Sequence, residues 1–390
     1  MFSERTGWKL APNRFTAAQR ELQAAGVTLL DLTVSNPTRA KLPYDAAAIL
    51  KAFGNPQALD YDPQPKGLRR AREAVAAYYR EQPESVDLDP ESIVLTTSTS
   101  EGYSYVFRLL CNAGDEILVP KPSYPLFEFL ADLQDVKLVP YPLLYDHGWQ
   151  IDVPSIHKAV TQRTRAVVVV HPNNPTGSYV SAERAALNTL CQGHDLALIA
   201  DEVFLDYALD GVPRESCALN HPVLTFTLSG VSKISGLPQM KLAWLAVSGP
   251  QKQHDEAVAR LEVIADTYLS MSAPIQLAAP VLLDQRKALQ PLLLDRCRMN
   301  LALLDREMRK QKTCQRLQVE GGWYAVLRVP VIQSDEELAI DLLRKASVLV
   351  HPGHFYDFPS DGYLVLSLIT PVEIFQEGVA RLLDRMDRAS

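Results

Sequence analysis

The sequence predicts an α/β fold, in which a large domain is built on a doubly wound, mostly parallel β-sheet with helices on both faces, and a smaller α+β domain completes the chain. Short β-branched runs alternate with longer helical patterns, as in successive βαβ units. The run at 166–170, one Ala and four Val, lacks any apolar–polar alternation. Such a run is typical of a central parallel strand that is buried on both faces.

The middle of the chain carries the elements of the large domain. Strands are predicted at 93–97, 116–120, 136–140, 166–170, 196–200, 223–228 and 242–247. Between them, helices are predicted at 100–111 and 181–193. We therefore place the large domain at residues 47–283.

The two ends of the chain predict the smaller domain, formed by residues 1–46 together with 284–390. A helical pattern at 274–311 contains Pro280 and Pro291, which predict a kink or break. The other elements predicted here are a helix at 14–25, a strand at 28–34, a helix with a capping box that begins at 334–337 and continues to 346, a strand at 362–369 and a final helix from 371.

Composition argues against several classes of partner. The 390 residues include 39 Lys and Arg against 46 Asp and Glu, and the net charge of −7 disfavours nucleic acids and anionic membranes as partners. No apolar run approaches the roughly 18 residues of a membrane span, and the polar start of the chain shows no secretory signal. The five scattered cysteines predict neither a disulfide scaffold nor a zinc site, so a reducing cytoplasm is expected. Two histidines, His351 and His354, flank a Pro-Gly turn, but without further ligands we predict no metal site.

Hydroxyl side chains gather at 96–101, between a predicted strand and a predicted helix. Backbone N–H groups at a helix N-terminus, together with hydroxyls such as those of Ser98, Thr99 and Ser100, can form an anion site. The same residue types are also ordinary helix N-caps. The segment alone therefore leaves both interpretations open.

Three further polar groups follow predicted strands. Asn174 lies in a Pro- and Gly-containing turn after the valine run, at the edge of the sheet where open α/β folds bind ligands. Asp201 ends the next strand and either faces the same crevice or caps a helix. Lys233 lies among small and apolar residues, where a partly buried amine loses its proton easily and becomes a nucleophile, although most lysines are simply solvated.

The order of these features along the chain resembles that in the fold type I pyridoxal-phosphate enzymes, specifically the class I/II aminotransferases. The resemblance extends from about residue 27 to 385. The resemblance implies pyridoxal 5′-phosphate as the cofactor. Lys233 would hold it as a Schiff base and shuttle the proton once substrate displaces the amine. Asp201 would pair with the pyridine nitrogen, Asn174 would bind the phenolic oxygen, and Tyr124 would stack on the ring.

The resemblance also implies phosphate contacts and a homodimer. The residues that it assigns to the phosphate are Ser98, Thr99, Ser100, Ser232 and Lys241. Tyr61 matches the family's tyrosine that reaches the phosphate of the neighbouring subunit, which implies a homodimer with shared active sites.

Three positions around the cofactor depart from the family pattern. Lys241 stands where the family has an arginine, which keeps the charge but loses the bidentate fork. Gly230 stands where a hydroxyl is usual, and Ser229 or Ser232 would have to compensate. Phe204 replaces a tyrosine that would donate a second hydrogen bond to the phenolic oxygen.

A fourth departure concerns the substrate. In the late strand, Val365 stands where the family has the arginine that binds the substrate α-carboxylate. Asn36 and Arg39 belong to a segment that lines the substrate pocket in relatives, and Arg39 is either a replacement for that arginine or a solvated side chain. By position, His354 and Trp323 also line the pocket.

The favoured function is an aminotransferase that moves an amino group between an amino acid or amine and a 2-oxo acid by ping-pong chemistry. One alternative is another pyridoxal-phosphate reaction on the same fold, such as a β-lyase, racemase or decarboxylase. The other is a non-catalytic cofactor-binding protein, which the altered Phe204, Lys241 and Val365 suggest and the retained Lys233, Asp201 and Asn174 argue against.

Overall fold

An eight-stranded mixed β-sheet forms the centre of this computed structural model, which describes residues 1–125, 127–269 and 271–388. The described strands of this sheet and of two smaller sheets are, in chain order, β1 (Leu30–Asp31), β2 (Ile93–Thr96), β3 (Glu116–Lys121), β4 (Lys137–Tyr145), β5 (Trp149–Ile151), β6 (Thr164–Val170), β7 (Ala197–Asp201), β8 (Thr225–Gly230), β9 (Ala243–Ser248), β10 (Gln315–Arg316), β11 (Tyr324–Arg328), β12 (Val348–Leu349), β13 (His351–Pro352) and β14 (Tyr363–Ser367).

Helices flank this sheet and build much of the smaller domain. They are α1 (Arg14–Ala24), α2 (Ala46–Ala52), α3 (Arg69–Arg80), α4 (Thr99–Leu110), α5 (Phe127–Asp132), α6 (Val153–Ala159), α7 (Arg184–His194), α8 (Val231–Ile234), α9 (Gln251–Thr267), α10 (Ala273–Asp284), α11 (Arg286–Met308), α12 (Asp335–Ala346) and α13 (Val372–Asp387).

The large sheet has the order β2-β9-β8-β7-β6-β3-β4-β5. Its central pairings, from β8 through β4, are parallel, while β9 and β5 pair antiparallel with their neighbours. The carboxyl ends of β2, β3, β6, β7 and β8 therefore meet at one edge. Because β9 runs in the opposite direction, its amino end lies at that same edge.

Burial of β6 on both faces is confirmed. Val168 packs in a cluster with Tyr103 and Phe107 of α4, whereas Val167 and Val169 pack with Leu187 of α7. Successive side chains of a strand point to opposite faces, so a strand covered by helices on both sides needs apolar residues throughout. The predicted α/β class with helices on both faces is likewise confirmed.

The smaller domain contains the sheet β10-β11-β14-β13 and the two-stranded pair β1-β12. Helices α11, α12 and α13 cover these strands, and α1 packs against α12. The predicted strand at 28–34 is reduced to Leu30–Asp31, which pairs in parallel with Val348–Leu349. The capping box predicted at Ser334 is present, with the Ser334 hydroxyl accepting from the Glu337 N–H.

The predicted break at the prolines of the long helical segment was wrong in position. Pro280 lies inside α10 and Pro291 inside α11, and the helices separate at Gln285. The buried Arg286 guanidinium donates to the Leu283 carbonyl at 3.2 Å and to the Glu81 carboxylate at 2.5 Å. The long-range contact with Glu81 thus lies at the point where α10 and α11 separate, and each helix continues through its proline.

Helix α10 packs on α2 and α3, whereas α11 packs on α13 and β10. We propose on this basis that residues 47–283 form the large domain, and that 1–46 and 284–390 form the small one. Within the described residues, no helix combines the length and apolarity that are needed to cross a membrane.

Candidate active site

Six of the polar residues singled out in the sequence line one cavity of about 320 Å³ at the carboxyl edge of the large sheet. One is Ser232, and the other five are Thr99, Tyr124, Asn174, Asp201 and Lys233. Each of these five follows or ends a different strand, in the order β2, β3, β6, β7 and β8. The parallel register carries them to the same edge, and the cavity has the size of ordinary small-molecule sites, which span about 300–1,000 Å³.

The buried carboxylate of Asp201 and the amine of Lys233 both line this cavity. Burial raises the pKa of Asp201 to about 6, against hydrogen bonds from the Val203 N–H at 3.2 Å and the Tyr103 hydroxyl at 3.1 Å. Burial also lowers the pKa of Lys233 to about 8, and the Asp201 charge opposes this shift. Near neutral pH, Asp201 is therefore largely ionised and a usable fraction of Lys233 is a neutral amine, which is the nucleophilic form.

Aromatic rings surround the Lys233 side chain. Its Nζ lies 5.6 Å from the centroid of Phe204 and 5.2 Å from that of Trp323. The Tyr207 hydroxyl donates to the Lys233 carbonyl at 2.6 Å, which holds the short helix α8 in place. Phe204 lines the cavity, whereas the fully buried Trp323 lies behind it.

Two neighbouring asparagines have different roles. Asn173 is committed to the fold, because its amide donates to the Pro122 carbonyl and the Thr176 hydroxyl and its carbonyl accepts from Ser123. Asn174 lines the cavity, and its buried Oδ1 has no partner among the described residues. The side-chain Nδ2 likewise donates to none of the described residues, so Oδ1 is left as an acceptor and Nδ2 as a donor for a ligand, since buried polar groups are otherwise paired.

The N-terminus of α4 supports both interpretations of the hydroxyl-rich segment. The Ser98 side chain is the N-cap and accepts from the Glu101 N–H at 3.2 Å. The backbone N–H groups of Thr99 and Ser100 have no acceptor within the described chain, as is usual in the first turn of a helix. Thr99 lines the cavity, whereas Ser98 and Ser100 are not among its lining residues.

Lys241 and Ser232 lie at the same edge. Ala243 at the start of β9 pairs with both Thr96 and Gly230, so Lys241, two residues earlier, lies beside α4 and the Lys233 turn. Lys241 itself is exposed, and Ser232 lines the cavity. A Cβ at Gly230 would lie 2.8 Å from the Ala243 Cβ, which explains why no hydroxyl-bearing residue stands there.

Five other sequence candidates are not among the residues that line the cavity. Tyr61 is exposed over 79 % of its surface, and Asn36 and Arg39 are exposed in the short turn at Pro37–Arg39. Val365 is buried within β14. His354, expected at the pocket by position, is also exposed and outside the lining.

The sequence analysis missed several residues of the cavity. Tyr324, His351 and Tyr356 line it from the small domain, and Tyr103 holds Asp201 from α4. His351 drew attention only as part of a histidine pair that is a weak metal signal, whereas its neighbour His354 was the one expected at the pocket. Residues of this kind reach the cavity through the packing of the two domains, which local patterns do not report.

Comparison with known proteins adds to this geometry. The sequence profile of the family described as aminotransferase class I and II matches residues 27–374. The chain belongs to this family. It is an aminotransferase, and the class uses pyridoxal phosphate.

Relatives of this aminotransferase are similar over most of their length. The alanine aminotransferase of Mycobacterium bovis is 30 % identical over 88 % of this chain and 82 % of its own. The glutamate-pyruvate aminotransferase AlaA of Haemophilus influenzae is 27 % identical over 93 % and 91 %. Among solved structures, the alanine aminotransferase of Pyrococcus furiosus has a TM-score of 0.88 at 23 % identity, with 100 % of both chains covered. That likeness shows the shared fold.

The Asp201–Lys233 interaction gives a first prediction for this aminotransferase. In the protein without added cofactor, reductive methylation of Lys233 should rise with a midpoint near pH 8. Asp201→Asn should move the midpoint to lower pH, because it removes the negative charge that favours the protonated amine. Peptide mass spectrometry across a pH series measures the modified fraction.

Glu202→Gln is the matched control, since the Glu202 carboxylate is held by Ser216 and Cys217. An unchanged midpoint in Asp201→Asn would show that the two charges do not interact.

The Tyr103 hydroxyl gives a second prediction. Tyr103→Phe should raise the pKa of Asp201 above about 6, because it removes a donor that stabilises the carboxylate. Isotope-edited carboxyl NMR measures the change. Tyr105→Phe, two residues along the same helix, should leave the Asp201 titration where it is. Equal titrations in the Tyr103 variant and the wild type would contradict the assigned hydrogen bond.

Proposed function

We propose that this aminotransferase binds pyridoxal 5′-phosphate in the cavity at the carboxyl edge of the large sheet. The observation that carries the proposal is that Lys233 and Asp201 line the same cavity and have pKa values of about 8 and about 6. The unpartnered Asn174 amide and the free N–H groups of α4 support the same occupant, since the cofactor offers a phenolic oxygen and a phosphate dianion. The donor set of the cavity thus fits the cofactor.

Each residue has a separate task in this proposal. Lys233 holds the cofactor covalently, Asp201 pairs with its ring nitrogen, and Asn174 donates to its phenolic oxygen. Tyr124, which lines the cavity with 37 % of its surface exposed, covers the ring face. Asp201 is suited to its task because a carboxylate already ionised in a buried site favours a protonated partner.

The phosphate is assigned to the first turn of α4. The residues proposed to surround it are Ser98, Thr99, Ser100, Ser232 and Lys241. A helix N-terminus and a nearby cation suit a dianion, although a lysine holds it as a point charge, without the fork of an arginine. Tyr61 is proposed to reach the phosphate of a second copy of the chain in a homodimer. Its exposure, and the exposure of Leu59 beside it, support an interface there.

The proposed reaction moves an amino group between an amino acid or amine and a 2-oxo acid by ping-pong transfer. When bound, the cofactor supplies an electron sink for the charge left on the substrate carbon. Lys233, once displaced by substrate, would take the proton from that carbon and deliver it to the cofactor carbon that keeps the amino group, and its pKa near 8 suits both transfers. The surrounding rings of Phe204 and Trp323 keep water from the amine.

The names of the relatives point to alanine, glutamate and pyruvate as substrates to test first. On the substrate side of the pocket we propose Asn36, Arg39 and the wall formed at Val365. The cytoplasm is the proposed location, which the five free cysteines support, and small molecules are the proposed partners.

Covalent capture tests this function. The full chain incubated with pyridoxal phosphate should turn yellow, and borohydride should fix the cofactor on Lys233, as read from peptide mass spectra. Lys233→Ala should retain weak cofactor binding through the phosphate contacts. Its turnover should fall by about 10²–10⁴-fold or more, the usual share of a positioned acid–base group. A colourless wild-type protein after this treatment would overturn the proposal.

The reaction type has its own readout. Mixed with a single amino acid and no acceptor, the loaded protein should release one equivalent of 2-oxo acid and leave the cofactor in its amino form. Continuous release of ammonia or carbon dioxide with unchanged cofactor would instead indicate a lyase or a decarboxylase. Cofactor binding with no change for any amino acid or amine would indicate a non-catalytic protein.

Phe204 gives a further prediction. Phe204→Tyr should lower the pH at which the visible band of the lysine-bound cofactor changes, because an added phenol donor stabilises the deprotonated phenolic oxygen. Absorbance titration measures the midpoint, and Phe204→Leu controls for the change in packing near Lys233. A midpoint that stays or rises in Phe204→Tyr would mean that residue 204 does not face that oxygen.

A further inference from the structure

None of the described residues that line the cavity is an arginine that could receive a substrate carboxylate. Among its described lining residues, Lys233 is the only lysine or arginine, and its amine is engaged in the chemistry proposed above. A carboxylate taken out of water requires hydrogen-bond donors, and an unpaired one is costly. The donors must then come from other side chains that reach the cavity.

The strand register of the small sheet indicates which side chain can donate a hydrogen bond to the substrate carboxylate. His351 of β13 pairs with Val365 of β14, which in turn pairs with Val326 of β11. Tyr324, two residues before Val326, lies on the same face, since directly opposed residues and alternate residues share a face of a sheet. Position 365 therefore faces the side on which Tyr324 and His351 line the cavity. Val365 itself is buried and does not line the cavity, so His351 is the polar side chain of this pair that reaches it.

The His351 imidazole is held in one orientation. Its Nδ1 lies 3.0 Å from the Tyr356 hydroxyl, and both side chains line the cavity. Burial lowers the pKa of His351 to about 4, against the nearby charge of Asp31, so the ring is neutral. When Tyr356 donates to Nδ1, the ring proton lies on Nε2, for which the described chain offers no acceptor.

We propose that His351, oriented by Tyr356, donates the hydrogen bond that binds the carboxylate of the amino-acid and 2-oxo-acid substrates. It would do so in place of the family arginine, whose position Val365 occupies. This inference rests on the proposed function, because it needs the substrate nitrogen at Lys233. His351 is the binding residue and Tyr356 is a positioning residue. The substrate class that follows is the α-amino acids, in preference to simple amines.

A matched pair of ligands tests this inference on the full chain loaded with pyridoxal phosphate. 2-Aminoisobutyrate and tert-butylamine both carry an amine on a fully substituted carbon, but only the first carries a carboxylate, and neither has the α-hydrogen that transamination removes. Spectral titration gives the two dissociation constants, and calorimetry with isobutyrate and isobutyramide repeats the comparison without covalent attachment. Loading is checked first by absorbance and by borohydride capture on Lys233. A protein that fails to load therefore tests the proposed function, and a loaded protein tests this inference.

The wild type should prefer the carboxylate member of each pair. His351→Phe should reduce that preference about tenfold to a hundredfold, the range expected for a hydrogen bond to a charged group. tert-Butylamine binding and the cofactor spectrum should stay the same. His351→Gln, which keeps a donor, should recover part of the preference, and Tyr356→Phe should give an intermediate loss. His354→Phe is the matched control, because this exposed histidine lies on the same turn outside the cavity lining.

Three results would overturn the inference. The first is a loaded His351→Phe protein that keeps the full preference for the carboxylate. The second is a loss of preference in Arg39→Ala with none in His351→Phe, which would assign the carboxylate to Arg39. The third is a wild type that binds amines as tightly as the matching amino acid.

Discussion

The mutual influence of Asp201 and Lys233 is the interaction on which the rest of this site depends. Burial favours the neutral form of both groups, because it raises the pKa of Asp201 and lowers the pKa of Lys233. Each charge partly offsets the effect of burial on the other. The amine thus stays close to its titration point near neutral pH, while the carboxylate stays largely ionised.

The sheet supplies the geometry for that interaction. Asp201 ends β7 between the carboxyl ends of β6 and β8, which deliver Asn174 and Lys233 to either side of it. The reversed strand β9 brings Lys241 to the same edge and packs so closely on Gly230 that no side chain fits there. The departure from the family's hydroxyl at that position is therefore a consequence of strand packing.

The small domain contributes the side of the cavity that differs from the family pattern. Tyr324 of the small domain, together with Phe204 of the large domain, makes this side largely aromatic, and His351 with Tyr356 provides its polar contact. A histidine on β13 and a valine on β14 are cross-strand neighbours. A change at one of these positions can thus be compensated at the other without moving the backbone.

The sequence by itself determined the α/β class, the buried central strand and the order of Asn174, Asp201 and Lys233 along the chain. These features follow from local periodicity and from strand ends, which a linear pattern records. Tertiary structure decided where the long helix breaks, because Arg286 reaches Glu81 only across the fold. It also decided that His351 and Tyr103 reach the site, since those contacts join residues from separate elements. Such contacts depend on register and domain packing, and neither has a signature in a single stretch of sequence.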